Sequence, residues 1–194
     1  MSEKYQNKFR IESTRLQQWD YGWDAAYFVT ICTKDRRHFF GEVMEGKMML
    51  SKAGIVADIL WYEIKHHARN VRLGEFMVMP NHVHCILIID GNDAERNVET
   101  RSTLSLPRPP TPPSLPESNK SIGQQRFQNQ GKNTLSSIIG SYKAAVTRHC
   151  NRIGLPFAWQ SRFYEHIIRN DESHNRIATY IQNNPQTWKE DKFY

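Results

Sequence analysis

The chain has 194 residues, enough for one domain with a sizeable core, and its 39% hydrophobic content is that of a soluble globular protein. No run approaches the roughly 18 apolar residues of a membrane span, and the polar start Met1-Ser2-Glu3-Lys4 carries no signal-peptide apolar region, so a cytoplasmic location and no membrane partner are expected. Lys and Arg number 26 against 20 acids, a net +6 that biases the protein toward a polyanion without proving one, while three cysteines with no C-x-x-C argue against a disulfide framework or a cysteine zinc site.

Residues 1–25 are polar and mixed, ending on Trp19, Tyr21 and Trp23, and read as an arm laid over the body that follows. Ala26 to Thr33 alternates Tyr27, Val29 and Ile31 with Phe28, Thr30 and Cys32, the period of a strand, and the basic turn Lys34-Asp35-Arg36-Arg37 ends it. Phe39-Phe40-Gly41 and Met48 to Leu50 suggest a small hairpin. Ser51 stands where a helix N-cap belongs, and Ile55, Val56, Ile59, Leu60 and Ile64 recur at helical spacing to about Arg69. His66 and His67 fall in that helix's last turn, where positive charge suits the dipole, and read as surface residues.

Gly74 opens a strand to Met79; Pro80-Asn81 breaks it, and His82-Val83-His84-Cys85-Ile86-Leu87-Ile88-Ile89 follows as a buried strand. The near adjacency fits a tight antiparallel pair or one strand bulged at the Pro. On a strand His82 and His84 point the same way, with Cα atoms about 6.6 Å apart. Two imidazoles so placed can share one cation, or be core histidines satisfied by carbonyls. From Gly91 to about Asn133 the composition shifts, six of the nine prolines lying between Pro107 and Pro116. This reads as a flexible, partly polyproline-like insertion within a single domain running from 26 to 194.

Thr134 caps a helix with Leu135, Ile138, Ile139, Tyr142 and Val146 on one stripe. Phe163 to Ile168 alternates as another strand, and Asn170-Asp171 caps a last helix to about Asn184, stopped by Pro185. It carries Ile177 and Ile181 as its buried pair, with Tyr180 and Asn184 sharing a neighbouring face four residues apart. The order β-α-β-β-α-β plus a helix is that of an α+β, ferredoxin-like domain with an antiparallel sheet.

Taken together, Met79-Pro80-Asn81-His82-Val83-His84, Ile138-Ile139-Gly140-Ser141-Tyr142-Lys143, the run Trp159 to Asn170, and Tyr180-Ile181-x-x-Asn184-Pro185 resemble, in order, the motifs of the HUH single-tyrosine transposases, nearest to the REP-associated tyrosine transposases. The resemblance spans about Tyr27 to Trp188, with 91–133 as a gap. It implies a metal-dependent nuclease and strand transferase acting on single-stranded or hairpin DNA. By position, His82, His84 and Asn184 would hold Mg²⁺ or Mn²⁺, and Tyr180 would be the nucleophile, forming a 5′-phosphotyrosine. Many insertion-sequence relatives have Gln at the place of Asn184.

Lys143, Arg148, Arg162 and Arg169 are candidate phosphate contacts, and Tyr142 is a rival nucleophile whose place on the apolar stripe favours packing. Members of this family that move DNA commonly pair two chains, so a homodimer is among the expected states. Two other readings are a non-catalytic nucleic-acid-binding module on the same sheet and a zinc hydrolase for small substrates, the latter weakened by the expected lack of any carboxylate near the His pair to serve as base.

Overall fold

The computed structural model describes residues 19–90 and 133–194, together with two two-residue strands, β1 (Lys4–Tyr5) and β2 (Lys8–Phe9), that pair antiparallel with each other. The expected insertion at 91–133 therefore lies outside the described residues except for Asn133, as does most of the expected arm. The described end of that arm packs inward: Trp19 is buried, and its Nε1 donates to the Tyr27 hydroxyl at 3.1 Å.

Strands β3 (Ala25–Cys32), β6 (Val71–Met79), β7 (His82–Ile89) and β8 (Tyr164–Ile168) form one sheet in the order β6-β7-β3-β8. Every neighbouring pair is antiparallel. Helix α1 (Lys52–Tyr62) falls between β3 and β6 in sequence, and α3 (Leu135–Arg152) between β7 and β8, which completes the ferredoxin-like βαββαβ unit. The hairpin β4 (Gly41–Met44) and β5 (Lys47–Leu50) precedes α1, a single turn α2 (Ile64–His67) follows it, and α4 (Asp171–Asn183) is the added C-terminal helix.

The period of two along β7 divides the interior. Val83, Cys85, Leu87 and Ile89 join Tyr27, Val29 and Ile31 under α1 and α3, where Ala53, Ala57, Trp61, Leu135, Ile139, Tyr142 and Val146 close a large core. On the opposite face Ala26, Ile86, Ile88 and Ile168 receive Ala178 and Ile181 from α4. His82 and His84 share this second face, so the last helix and the histidines meet because both belong to one side of one sheet. Asn170 caps α4 by accepting from the Ser173 amide, and Ala178 with Ile181 is its buried pair, Ile177 being only partly covered.

Three local expectations need correction. The inward stripe of α1 is Ala53, Ala57 and Trp61, while Ile55 and Ile59 are 47% and 57% exposed. Two apolar stripes overlap on this helix, and packing selects the one with small residues plus a Trp that stacks on Phe76 at 4.7 Å. The helix also ends at Tyr62 rather than near Arg69. Strand β6 begins at Val71, not Gly74, and the region is a tight hairpin about Pro80-Asn81 whose irregularity lies between Leu73 and Phe76. Gly74 sits against β7 there; a Cβ on it would lie 2.9 Å from the Ile86 Cβ.

Candidate active site

The Pro80-Asn81 turn is fixed from two sides. The Thr33 amide and hydroxyl both donate to the Asn81 carbonyl, at 2.9 and 3.0 Å, and the Phe40 amide donates to the Pro80 carbonyl at 3.1 Å. The strand that follows therefore enters the sheet in a set register, with Cys32 opposite His82 and Thr30 opposite His84. Both imidazoles are buried and their ring centroids lie 4.3 Å apart.

Each ring has one nitrogen held from behind. The Asn81 amide donates from Nδ2 to the Phe193 carbonyl at 2.8 Å, so its Oδ1 accepts from His82 Nδ1 at 2.9 Å. His84 Nδ1 lies 2.9 Å from Thr30 Oγ1. This is the outer support by which ligating histidines are oriented, with Nε2 left to face the site. Burial first, then the Arg36 and Lys192 cations, lowers the His82 pKa to about 3; burial and the neighbouring His82 likewise hold His84 well below its usual range. Both rings are neutral at physiological pH, the form in which imidazole binds a metal.

From the other side, α4 brings Tyr180 and Asn184. The Tyr180 hydroxyl lies 3.2 Å from His84 Nε2 and donates to Asp191 Oδ2 at 2.8 Å. Burial, reinforced by the bond to and charge of Asp191, raises the Tyr180 pKa, so the phenol is protonated at neutral pH. Asn184, the C-cap of α4, is fully buried and donates from Nδ2 to the same Asp191 oxygen at 2.6 Å. Among the described residues, His82 Nε2 and Asn184 Oδ1 are buried acceptors with no hydrogen-bond partner. Such orphans are costly unless something arrives to satisfy them. The ligand atoms of His82, His84 and Asp191 lie within 4.8 Å of one another, a group able to hold a metal ion.

The residues expected to act together, His82, His84, Tyr180 and Asn184, are thus in one place. The basic candidates are dispersed. Lys143 donates from Nζ to the carbonyls of Gln160 and Ser161, at 2.6 and 3.3 Å. Exposed Arg148 rides on α3, which covers the opposite face of the sheet, and Arg169 leaves β8 past Ile168, whose partner Ala26 is at the far end from the histidines. Arg162 precedes β8 at the histidine end. Tyr142 is buried in the large core and donates to the Ala57 carbonyl at 2.9 Å, away from the histidine face.

Sequence reasoning missed Asp191, Asn81 and Thr30 as supports, and Arg36 and Lys192 as the nearest cations. Arg36 packs over the Phe193 ring at 4.5 Å, and Lys192 lies 4.8 Å from the same ring. Phe193 in turn packs on His82, centroids 4.7 Å apart. Asp35 and Arg36 both have positive φ, 54° and 55°, a conformation L side chains rarely adopt. With Lys34, Trp159, Gln160 and Ser161 they line an open cleft of about 440 Å³ on the flank of the site. The signal for the tail was present in its aromatics, Trp188 and Phe193, which are too apolar for a solvated end.

The four-stranded antiparallel sheet with helices on both faces defines a ferredoxin-like α+β fold. The solved structure of a REP-associated tyrosine transposase bound to a REP hairpin superposes with a TM-score of 0.56 at 21% identity, over 94% of this chain and 77% of that one. The chain belongs to the same family as a Haemophilus influenzae protein described as uncharacterised, to which it is 33% identical over 184 residues, 94% of this chain and 92% of that protein. No family model matches the chain. No helix among the described residues is long and apolar enough to cross a membrane.

Proposed function

We propose that this protein is a metal-dependent DNA nuclease and strand transferase, cutting and rejoining single-stranded DNA at or near a hairpin through a phosphotyrosine on Tyr180. The observation that carries this reading is the convergence of the Tyr180 hydroxyl on His84 beside two buried acceptors, His82 Nε2 and Asn184 Oδ1, that lack partners. The orphans are two of the three atoms expected to ligate a cation, and a mixed nitrogen and oxygen set without thiolate suits Mn²⁺ or Mg²⁺. Bound there, such an ion would neutralise charge on the scissile phosphate and favour the phenolate over the phenol.

The chain's own residues do the rest. Tyr180 supplies the attacking oxygen; its O–H breaks, a Tyr O–P bond forms, and the bond from phosphorus to the 3′-oxygen breaks, that oxygen leaving as a hydroxyl after taking a proton. One phosphoester replaces another, so a second 3′-hydroxyl can reverse the step and join DNA without a nucleotide cofactor. Arg36, Lys34 and Lys192 are the cations best placed to receive the strand's phosphates, with Arg162 the nearest of the four basic residues expected from sequence. Lys143 serves by holding the Gln160-Ser161 backbone, and Arg148 and Arg169 have room only in a wider footprint. The hairpin belongs to this reading because the REP-associated transposase was solved with one.

Incubated with labelled hairpin DNA carrying single-stranded flanks, the protein should form an adduct that survives a denaturing gel, requires Mn²⁺ or Mg²⁺, and is absent from Tyr180→Phe. Retardation of the DNA with no nicking in either metal would leave a non-catalytic binding module. Stoichiometric zinc in the purified protein together with hydrolysis of small esters would point to the hydrolase.

A further inference from the structure

Both carboxylate oxygens of Asp191 are engaged. Oδ2 accepts from Asn184 Nδ2 at 2.6 Å and from the Tyr180 hydroxyl at 2.8 Å, while Oδ1 accepts from the Phe193 amide at 2.7 Å. We propose that Asp191 is the positioning residue of the site, one oxygen setting both the amide of Asn184 and the phenol of Tyr180.

An ionised carboxylate only accepts hydrogen bonds, so it can face only the NH₂ side of the amide. Asn184 is thereby turned with Oδ1 away from Asp191, and that oxygen is the buried acceptor without a partner. The same constraint parks the Tyr180 hydroxyl next to His84. Asp191 itself is held on both sides: Trp188 packs against His82 at 5.8 Å, and the Phe193 carbonyl accepts from Asn81, the residue that orients His82. The tail thus links the support of one ligand to the support of another. Three of roughly four acceptor sites on Asp191 are already used, whereas His82 Nε2 and Asn184 Oδ1 have none filled. The open places are ligand places, and Asp191 acts through its neighbours.

The proposal rests on the phosphotyrosine reading for the role of Tyr180, but not for that of Asn184. Its test is Mn²⁺ titration of the DNA-free protein followed by electron paramagnetic resonance, alongside the rate of adduct formation, in Asp191→Ala, Asn184→Ala and the double variant. A positioning residue predicts that Asp191→Ala weakens Mn²⁺ binding by about tenfold to a hundredfold and slows adduct formation without weakening DNA binding. In the Asn184→Ala background the same change costs less than about twofold in Mn²⁺ affinity, because the group it acts through is gone. Multiplying losses in the double variant would make Asp191 a ligand and overturn the proposal, as would Mn²⁺ affinity within twofold of wild type in Asp191→Ala. Asp191→Leu, which keeps side-chain bulk in the tail but offers no acceptor to Asn184 or Tyr180, gives the same answer where the alanine variant is unstable. If the wild-type protein forms no adduct, the phosphotyrosine reading fails while the titration still decides the Asp191–Asn184 relationship.

Discussion

The hydroxyl of Tyr180 lies 3.2 Å from Nε2 of His84, although 96 residues of chain separate them. The approach follows from the sheet: His84 is on the face that α4 covers, and Ala178 with Ile181 anchors that helix over Ile86 and Ile88. Tyr180, 38% exposed, is left at the margin where the apolar contact ends and solvent begins.

Tyr142 separates packing from chemistry. Its hydroxyl donates to the Ala57 carbonyl inside the large core. Tyr142→Phe should lower unfolding free energy by about 1–2 kcal/mol in urea melts, since a buried carbonyl loses its partner, and leave the adduct yield unchanged.

The supports behind the imidazoles should matter nearly as much as the ligands. Thr30→Val keeps the side-chain volume and removes the oxygen beside His84 Nδ1; Asn81→Ala removes the acceptor of His82 Nδ1 and the donor to Phe193. Each should cost about tenfold to a hundredfold in Mn²⁺ affinity, read by titration of the DNA-free protein.

The metal-free protein should lose stability in acid. Burial, then Arg36 and Lys192, hold the His82 pKa at about 3 in the folded state against 6.5 for a free imidazole, so the unfolded chain takes up the proton first as pH falls. The stability this neutral ring confers is whole above pH 6.5 and is lost between 6.5 and about 3, on the order of 5 kcal/mol in all. Urea melts with chelator across that range should show the slope, and His82→Gln should reduce it, leaving the part that buried His84 contributes.

Gly74 makes room for β7 rather than for a turn. Gly74→Ala puts a methyl 2.9 Å from the Ile86 Cβ, on the sheet face that carries the histidines. A loss of about 1–3 kcal/mol in thermal or urea unfolding is expected.

Much of this was legible in the sequence because it depends on period. Alternation along His82 to Ile89 placed the two histidines on one face, spacing of four joined Tyr180 to Asn184, and the caps Ser51, Thr134 and Asn170 marked three helix starts that the structure retains. Period cannot choose between overlapping stripes of similar hydropathy, so the expected face was only partly right: Val56, Leu60 and Ile64 pack on the core, but the choice of Ala57 and Trp61 over Ile55 and Ile59 is made by the space beneath α3 and the Phe76 ring. Nor does spacing reveal Asp191, whose partners Tyr180 and Asn184 are reached only because the tail folds back over the histidines. Nor does residue type reveal that two of the three donors on the Lys143 ammonium already face backbone carbonyls, those of Gln160 and Ser161.

Whether Tyr180 oxygen becomes bonded to phosphorus is the question on which the account turns. Digesting the metal-dependent adduct with protease and nuclease and sequencing the modified peptide by mass spectrometry answers it directly. The account predicts one nucleotide 5′-phosphate on the peptide spanning Tyr180 and none on those holding Tyr142 or Tyr164. Linkage at either of those tyrosines, or cleavage of the DNA by wild-type protein with no protein-linked nucleotide at all, would contradict it.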